Sequence, residues 1–140
     1  MNLFETMRKI QKLNNELESI LKSVGDYCDN VDYNHADPEE SFFHDQLVFL
    51  TSRLEEVQNR LDYLNKPVVA QGFLKHNDHK RYNLPTGDYL TSGSVCELLV
   101  TDEDGQRWVY TRIEHNGTDY YVGALGKDIS LNGMIVRIRS

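Results

Sequence analysis

From Val24 through Ser52 the chain contains no Lys or Arg, although Asp26, Asp29, Asp32, Asp37, Glu39, Glu40 and Asp45 all fall there. The whole chain carries a net charge of −7. An acidic chain repels phosphate, so general nucleic-acid affinity is disfavoured. Cysteine is scarce. Cys28 and Cys96 lie far apart and outside any C-x-x-C spacing, which excludes a disulfide framework and favours reduced thiols. No apolar run approaches the ~20 residues needed to cross a bilayer as a helix. The opening MNLFETMRKIQ mixes charge and apolar residues at helical spacing, unlike a signal peptide, so a cytoplasmic protein is expected. Walker, G-x-S-x-G, G-x-G-x-x-G and H-E-x-x-H motifs are all missing. Gly123-Ala124-Leu125-Gly126-Lys127 has only the tail of a phosphate loop, without its first part or the Ser/Thr after the Lys. The D-x-D-x-D-G spacing of a calcium loop is missing too.

What is present divides into two halves. A length of 140 residues suits one compact domain, or a small domain with a helical appendage. Residues 1–66 carry a net −6 and residues 67–140 a net −1, and Pro67 marks the expected boundary. In the first half Leu3, Ile10, Leu17 and Val24 recur every seven residues. Leu13 and Ile20 fill the offset positions, Met7 and Leu21 widen the stripe, and Gly25 is placed to cap the end. A second stripe runs Phe43, Leu47, Leu50, Leu54, Val57, Leu61, Leu64, in alternating steps of four and three. Asp37-Pro38-Glu39-Glu40 opens that helix with an N-cap acid, Pro at its first position and a capping-box Glu. Asn65-Lys66-Pro67 closes it. Neither single-striped helix is stable alone. The pattern fits an antiparallel, coiled-coil-like hairpin within one chain or a coiled coil between two chains. Both hold at once if two hairpins form a four-helix homodimer.

The second half reads as short strands. Val68–Lys75 is a first strand with Gly72 at a possible bulge, and Arg81–Leu84 a short second one. Pro85–Asp88 and Thr91–Gly93 are turns, Val95–Thr101 a strong strand, and Gly123–Asp128 a further turn. Gln106–Gly123 is the clearest stretch, two β-rich runs joined at Asn116-Gly117, which predicts a type I′ hairpin. Trp108, Tyr110 and Arg112 share one parity there, and Val109, Thr111 and Ile113 the other. In the last strand Met134, Val136 and Ile138 face inward and Ile135, Arg137 and Arg139 outward. Five or six such strands fit a small SH3-like or OB-like barrel, so the expected fold is α+β: a helical hairpin followed by a small barrel.

Chemistry-bearing residues are few. His76 and His79 could hold a metal with Cys96 or His115, but they fall in a turn. Glu114-His115 stands at a hairpin end with no nucleophile nearby. Cys28 sits in an acidic loop that makes it a poor nucleophile. No catalytic residue, metal or cofactor is therefore assigned. The aromatic and basic set Trp108, Tyr110, Tyr120 and Tyr121 with Arg107, Arg112, Arg137 and Arg139 is either a binding surface that stacks bases or the ordinary cross-strand pairing of a small sheet. Tyr120 and Tyr121 must point opposite ways.

The runs LTSGSVCELLV (Leu90–Val100), WVYTRIEHNGTDYYVG (Trp108–Gly123) and LNGMIVRIR together resemble a small uncharacterised domain family of Gram-positive phages and mobile elements. The likeness covers roughly residues 70–139 and centres on T-R-I-E-H-x-G-x-x-Y-Y. That resemblance implies no activity. It implies a neighbourhood of accessory genes, where small acidic proteins inhibit host defence nucleases, anti-CRISPR proteins among them. Two readings are carried forward. In the first, a non-enzymatic inhibitor or adaptor uses Asp26, Asp29, Asp32, Asp37, Glu39 and Glu40, with Trp108, Tyr110, Arg112 and Tyr121, to engage a protein such as a basic nucleic-acid enzyme. In the second, the β-domain binds nucleic acid and the helices dimerise.

Overall fold

The computed structural model describes residues 1–126 and 129–140; of the predicted Gly123–Asp128 turn, Lys127 and Asp128 lie outside the described residues. The chain forms two compact units, Met1–Asn65 and Lys66–Ser140.

The first unit is an α-helical hairpin. The long stripe of the first half builds two helices, α1 (Leu3–Gln11) and α2 (Asn14–Val24), where one continuous helix was expected. The break lies at Lys12-Leu13. The Leu13 N–H bonds the Ile10 carbonyl at 3.0 Å, one residue tighter than an α-helical bond, and the ladder restarts when Leu17 N–H reaches the Leu13 carbonyl at 2.9 Å. Asn14 and Asn15 follow directly. Asn is a weak helix former, and Asn14 Nδ2 instead donates to Asp62 Oδ1 at 2.6 Å. Gly25 ends α2 with φ +73°, as a helix C-terminal glycine should.

The second stripe forms α3 (Pro38–Asn65), 28 residues long. Asp37 Oδ1 accepts from the Glu39 N–H at 2.9 Å. The capping box does not close as expected: Glu40 Oε2 accepts from the backbone N–H of Asn34, upstream of the N-cap. Asp37's own N–H is satisfied by the Asn34 carbonyl at 3.0 Å, so it leaves that carboxylate nothing to bind. The inward row of α3 contains buried Thr51 and Leu61, with half-buried Leu47 and Leu54.

The second unit is built on a five-stranded antiparallel sheet. Its strands are β1 (Val68–Phe73), β4 (Val95–Asp102), β5 (Gly105–His115), β6 (Tyr120–Val122) and β7 (Ile135–Arg139), in the order β1-β7-β4-β5-β6. A separate ribbon pairs β2 (Lys75–His76) with β3 (Tyr82–Asn83). No closed barrel is formed among the described residues. Closure needs edge strands β1 and β6 to pair, but β6 is three residues long and stops where the Gly123 N–H turns back to the Arg112 carbonyl. Loops rather than strands cover the inner face. Leu74, Leu84, Leu90 and Leu131 fold over Cys96, Leu98, Ile113, Val122 and Val136 to complete the core. Met134 and Ile138 join this face, in agreement with the expected parity.

Two local expectations change. The register irregularity of β1 lies between Val68 and Ala70, and Gly72 pairs regularly with Val136. Gly72 makes room for Pro85, since a Cβ there would stand 2.6 Å from the proline ring. The Asn116-Gly117 turn is a four-residue loop between the paired His115 and Tyr120, not a two-residue type I′ turn. Of its residues only Gly117 has positive φ, and Asn116 Oδ1 accepts from the N–H groups of Thr118 and Asp119 at 2.9 Å each.

Candidate functional site

The acidic segment between α2 and α3 is a pinned loop. A 3₁₀ turn, Asp26–Cys28, follows Gly25. Tyr27 (φ 52°, ψ 27°) and Cys28 (φ 60°) are consecutive left-handed residues, neither of them glycine. Such backbone costs roughly 1–2 kcal/mol per residue. Burial of Cys28 offsets that cost: its side chain is fully enclosed, with Sγ 3.4 Å from Thr51 Oγ1. With Cys28 turned inward, Tyr27 is turned out and is 81% exposed. Cys28 was expected in a solvated acidic loop; it is instead a core residue of the hairpin.

Backbone bonds fasten the rest of the loop. Asn30 N–H reaches the Val24 carbonyl at 3.0 Å, and Val31 N–H the Cys28 carbonyl at 3.0 Å. The Tyr33 ring stacks on His44 of α3 at 4.1 Å. Asp26, Asp29 and Asp32 point into solvent along this path, and Glu39 is exposed in the first turn of α3. Asp37 caps α3 through the Glu39 N–H, and Glu40 accepts from the Asn34 N–H of the loop. Val31, Asp32 and Tyr33 border a groove over Phe43, Leu47 and Leu50. Tyr27 and Tyr33 were not among the residues singled out from sequence. The signal was there: both tyrosines are interleaved with Asp in DYCDNVDY.

The outer face of the sheet gathers the other candidates. Register places Tyr110 opposite Glu97, Trp108 opposite Leu99, Arg112 opposite Val95, and Tyr121 opposite Glu114. Trp108, Tyr110, Arg112 and Tyr121 therefore share one face, with Arg137 and Arg139 on the same side of β7. Tyr120 pairs with His115 and packs against the core on the other face.

Glu97 organises this surface. Arg137 donates to its Oε1 from Nε at 2.9 Å and Nη2 at 2.7 Å, and Arg139 Nε donates to Oε2 at 2.9 Å. The Glu97 side chain is only 7% exposed. The Arg137 guanidinium also lies 4.2 Å from the Trp108 ring centre, a cation–π contact. Both arginines are thus committed to structure, and Arg107 is held by Asp102 at 3.0 Å. Arg112 is the exposed cation of the set.

The remaining reactive groups are held in local contacts. Burial, then the neighbouring Glu97 carboxylate, pushes the Cys96 thiol up to about 12, so it stays protonated and unreactive. Burial is also the main cause that raises the Tyr82 hydroxyl, which donates to Asp119 Oδ2 at 2.9 Å. His76 packs its ring 4.9 Å from Tyr82. Among the described residues no three His, Cys, Asp or Glu side chains cluster as a metal site would require. Among them, too, no helix is long and apolar enough to cross a membrane.

Residues 72–138 match the family described as Domain of unknown function (DUF5348). The match lies within the C-terminal unit, and the helical unit lies outside it. Neither the curated proteins nor the solved structures contain a match to the chain.

Proposed function

We propose that this protein is a non-enzymatic inhibitor or adaptor of a phage or mobile element that binds another protein through its acidic loop. In its narrowest form it is an anti-CRISPR protein that occupies the basic, nucleic-acid-binding groove of a nuclease. The observation that carries the reading is the pinned loop itself. Asp26, Asp29 and Asp32 stand exposed around the left-handed Tyr27-Cys28 turn, which presents Tyr27 outward. Strain of this kind persists where the surrounding structure over-determines it, and it clusters at binding sites. Exposed tyrosine flanked by carboxylates offers a basic groove both an aromatic anchor and charge complementarity.

The alternative, direct nucleic-acid binding by the sheet face, is less well supplied. Arg137 and Arg139 already bind Glu97, which leaves Arg112 as the exposed cation beside Trp108 and Tyr110. A phosphate-tracking surface needs several such cations.

The test is capture of partners by tagged protein from a Gram-positive host lysate, with and without nuclease treatment, followed by reconstitution with the purified partner. The proposal expects a stoichiometric complex that survives nuclease, weakens with salt and is lost when Asp26, Asp29 and Asp32 are changed together to Asn. Recovery solely through nucleic acid, abolished by Arg112→Ala and indifferent to the loop, would replace it with the sheet-face reading.

A further inference from the structure

Two Asn-Gly pairs occur in the chain, Asn116-Gly117 and Asn132-Gly133. Asn-Gly is especially open to attack on itself, because glycine has no Cβ to keep its amide nitrogen away from the asparagine side chain. The fold treats the two pairs differently.

In the loop between β5 and β6, Asn116 Oδ1 accepts from the N–H of Thr118 and the N–H of Asp119, each at 2.9 Å. Two N–H donors on one atom identify that atom as the oxygen of the side-chain amide. This is the arrangement of an oxyanion hole: donors already aimed at the atom that turns negative when the amide carbon is attacked. The Gly117 N–H points elsewhere. It donates to His115 Nδ1 at 3.0 Å, so that ring nitrogen carries a lone pair and its proton sits on Nε2. A base thus stands on the proton that the nucleophile must lose. The Tyr120 ring packs 4.7 Å from the imidazole and steadies it. His115, Asn116 and Gly117 are all exposed, so water reaches the site.

Among the described residues, Asn132-Gly133 has neither device. Its Gly133 N–H is taken up by the Leu74 carbonyl at 2.8 Å. Asn132 Oδ1 accepts a single N–H, from His76 at 3.3 Å.

We infer that Asn116 is a site of self-catalysed deamidation, with the chain as its own substrate and water as co-reactant. The Gly117 nitrogen bonds to Asn116 Cγ and gives its proton to His115 Nδ1. The Oδ1 oxyanion rests on the Thr118 and Asp119 N–H groups. The Cγ–Nδ2 bond then breaks, the proton passes from His115 to Nδ2, and ammonia leaves. The cyclic imide that remains opens when water adds to either of its carbonyls, giving an aspartyl or isoaspartyl residue at position 116. Each product adds a negative charge beside Asp119, and the isoaspartyl one also lengthens the backbone between β5 and β6 by a methylene. The inference goes beyond the acidic-loop reading and uses none of its residues.

Peptide mapping of the full chain, incubated folded in mildly alkaline buffer, tests it. Trypsin releases Asn116 within residues 113–127 and Asn132 within residues 128–137, so mass spectrometry follows each pair separately. Asn116 is expected to convert at least about tenfold faster than Asn132, and faster than it does itself in guanidinium, where the loop geometry is lost. His115→Ala is expected to slow Asn116 by at least about tenfold and to leave Asn132 unchanged. Added imidazole should restore part of that loss, which a purely structural role of His115 would not allow. Equal rates at the two pairs in the folded chain overturn the inference, and so does a His115→Ala chain that converts as fast as wild type. Absence of rescue by imidazole overturns it too. A rate at Asn116 that is no lower in guanidinium than in the folded chain does the same, and that comparison needs no variant.

Discussion

The two units solve the problem of burial differently. In the sheet unit eleven buried residues form one core, and loops complete the layer that the strands leave open. In the helical unit only Cys28, Thr51 and Leu61 are buried, while Phe43, Leu50 and Val57 face solvent. The sheet unit therefore buries its apolar side chains among themselves, whereas the hairpin leaves many of its own exposed. Burial of apolar area is the main favourable term in folding, so a unit with little of it is the one that gains most from a partner.

That contrast can be broken by separating the two unfolding events. Trp108 is the single tryptophan and reports the sheet unit, while far-UV circular dichroism is dominated by the helices. Leu98→Ala should have the largest effect. It empties a fully buried site and should destabilise the sheet unit by about 2–5 kcal/mol. The Trp108 fluorescence midpoint should drop while the helical transition stays in place. If both move together, the units are not independent.

Glu97→Gln comes next, at about 3 kcal/mol, because it strands Arg137 and Arg139 beside a neutral amide. Trp108 emission should also shift as Arg137 loses its tether. An unchanged midpoint would mean that solvent, not Glu97, satisfies the two guanidiniums.

Alkaline pH should sharpen the difference. The Cys96 thiol is raised from 9.0 to about 12 on folding, so the folded unit keeps a proton that the unfolded chain releases. Stability from this group is fully present below about 9 and is lost as pH climbs towards 12. Tyr82, raised in the same direction, adds to the loss at the upper end. Chemical denaturation followed at Trp108 should show the decline, and Cys96→Ala should flatten much of it.

The smaller effects belong to the hairpin. Asp37→Ala should lower the helical transition by about 1 kcal/mol through loss of the α3 cap. Tyr27→Asn should raise it slightly, since Asn tolerates φ of 52° better than Tyr, yet weaken capture of a basic partner. A variant that gains stability and loses binding is the signature of strain kept for function.

Much of this architecture was legible residue by residue. The step of four and three from Phe43 to Leu64 placed α3, and the parity of Trp108, Tyr110 and Arg112 placed the outer face of β5. Local chemistry misled at Asn116, where the amide side chain captured two N–H groups and replaced the expected turn. It misled again at Leu13, where the stripe ran on but the backbone tightened and broke.

The sequence by itself determined which residues form helices and strands and which side of each is apolar, because those follow from periods of 3.6 and 2.0 along a single element. Only the tertiary structure decided whether each apolar side found a neighbour. It left the sheet open where a barrel was expected, drew Cys28 inward beneath Thr51 and so turned Tyr27 out, and bound Arg137 and Arg139 to Glu97. It also buried Thr51 and Leu61 of α3 and left Phe43, Leu50 and Val57 exposed. These outcomes depend on residues tens of positions apart meeting or failing to meet, and no pattern within one element encodes that distance.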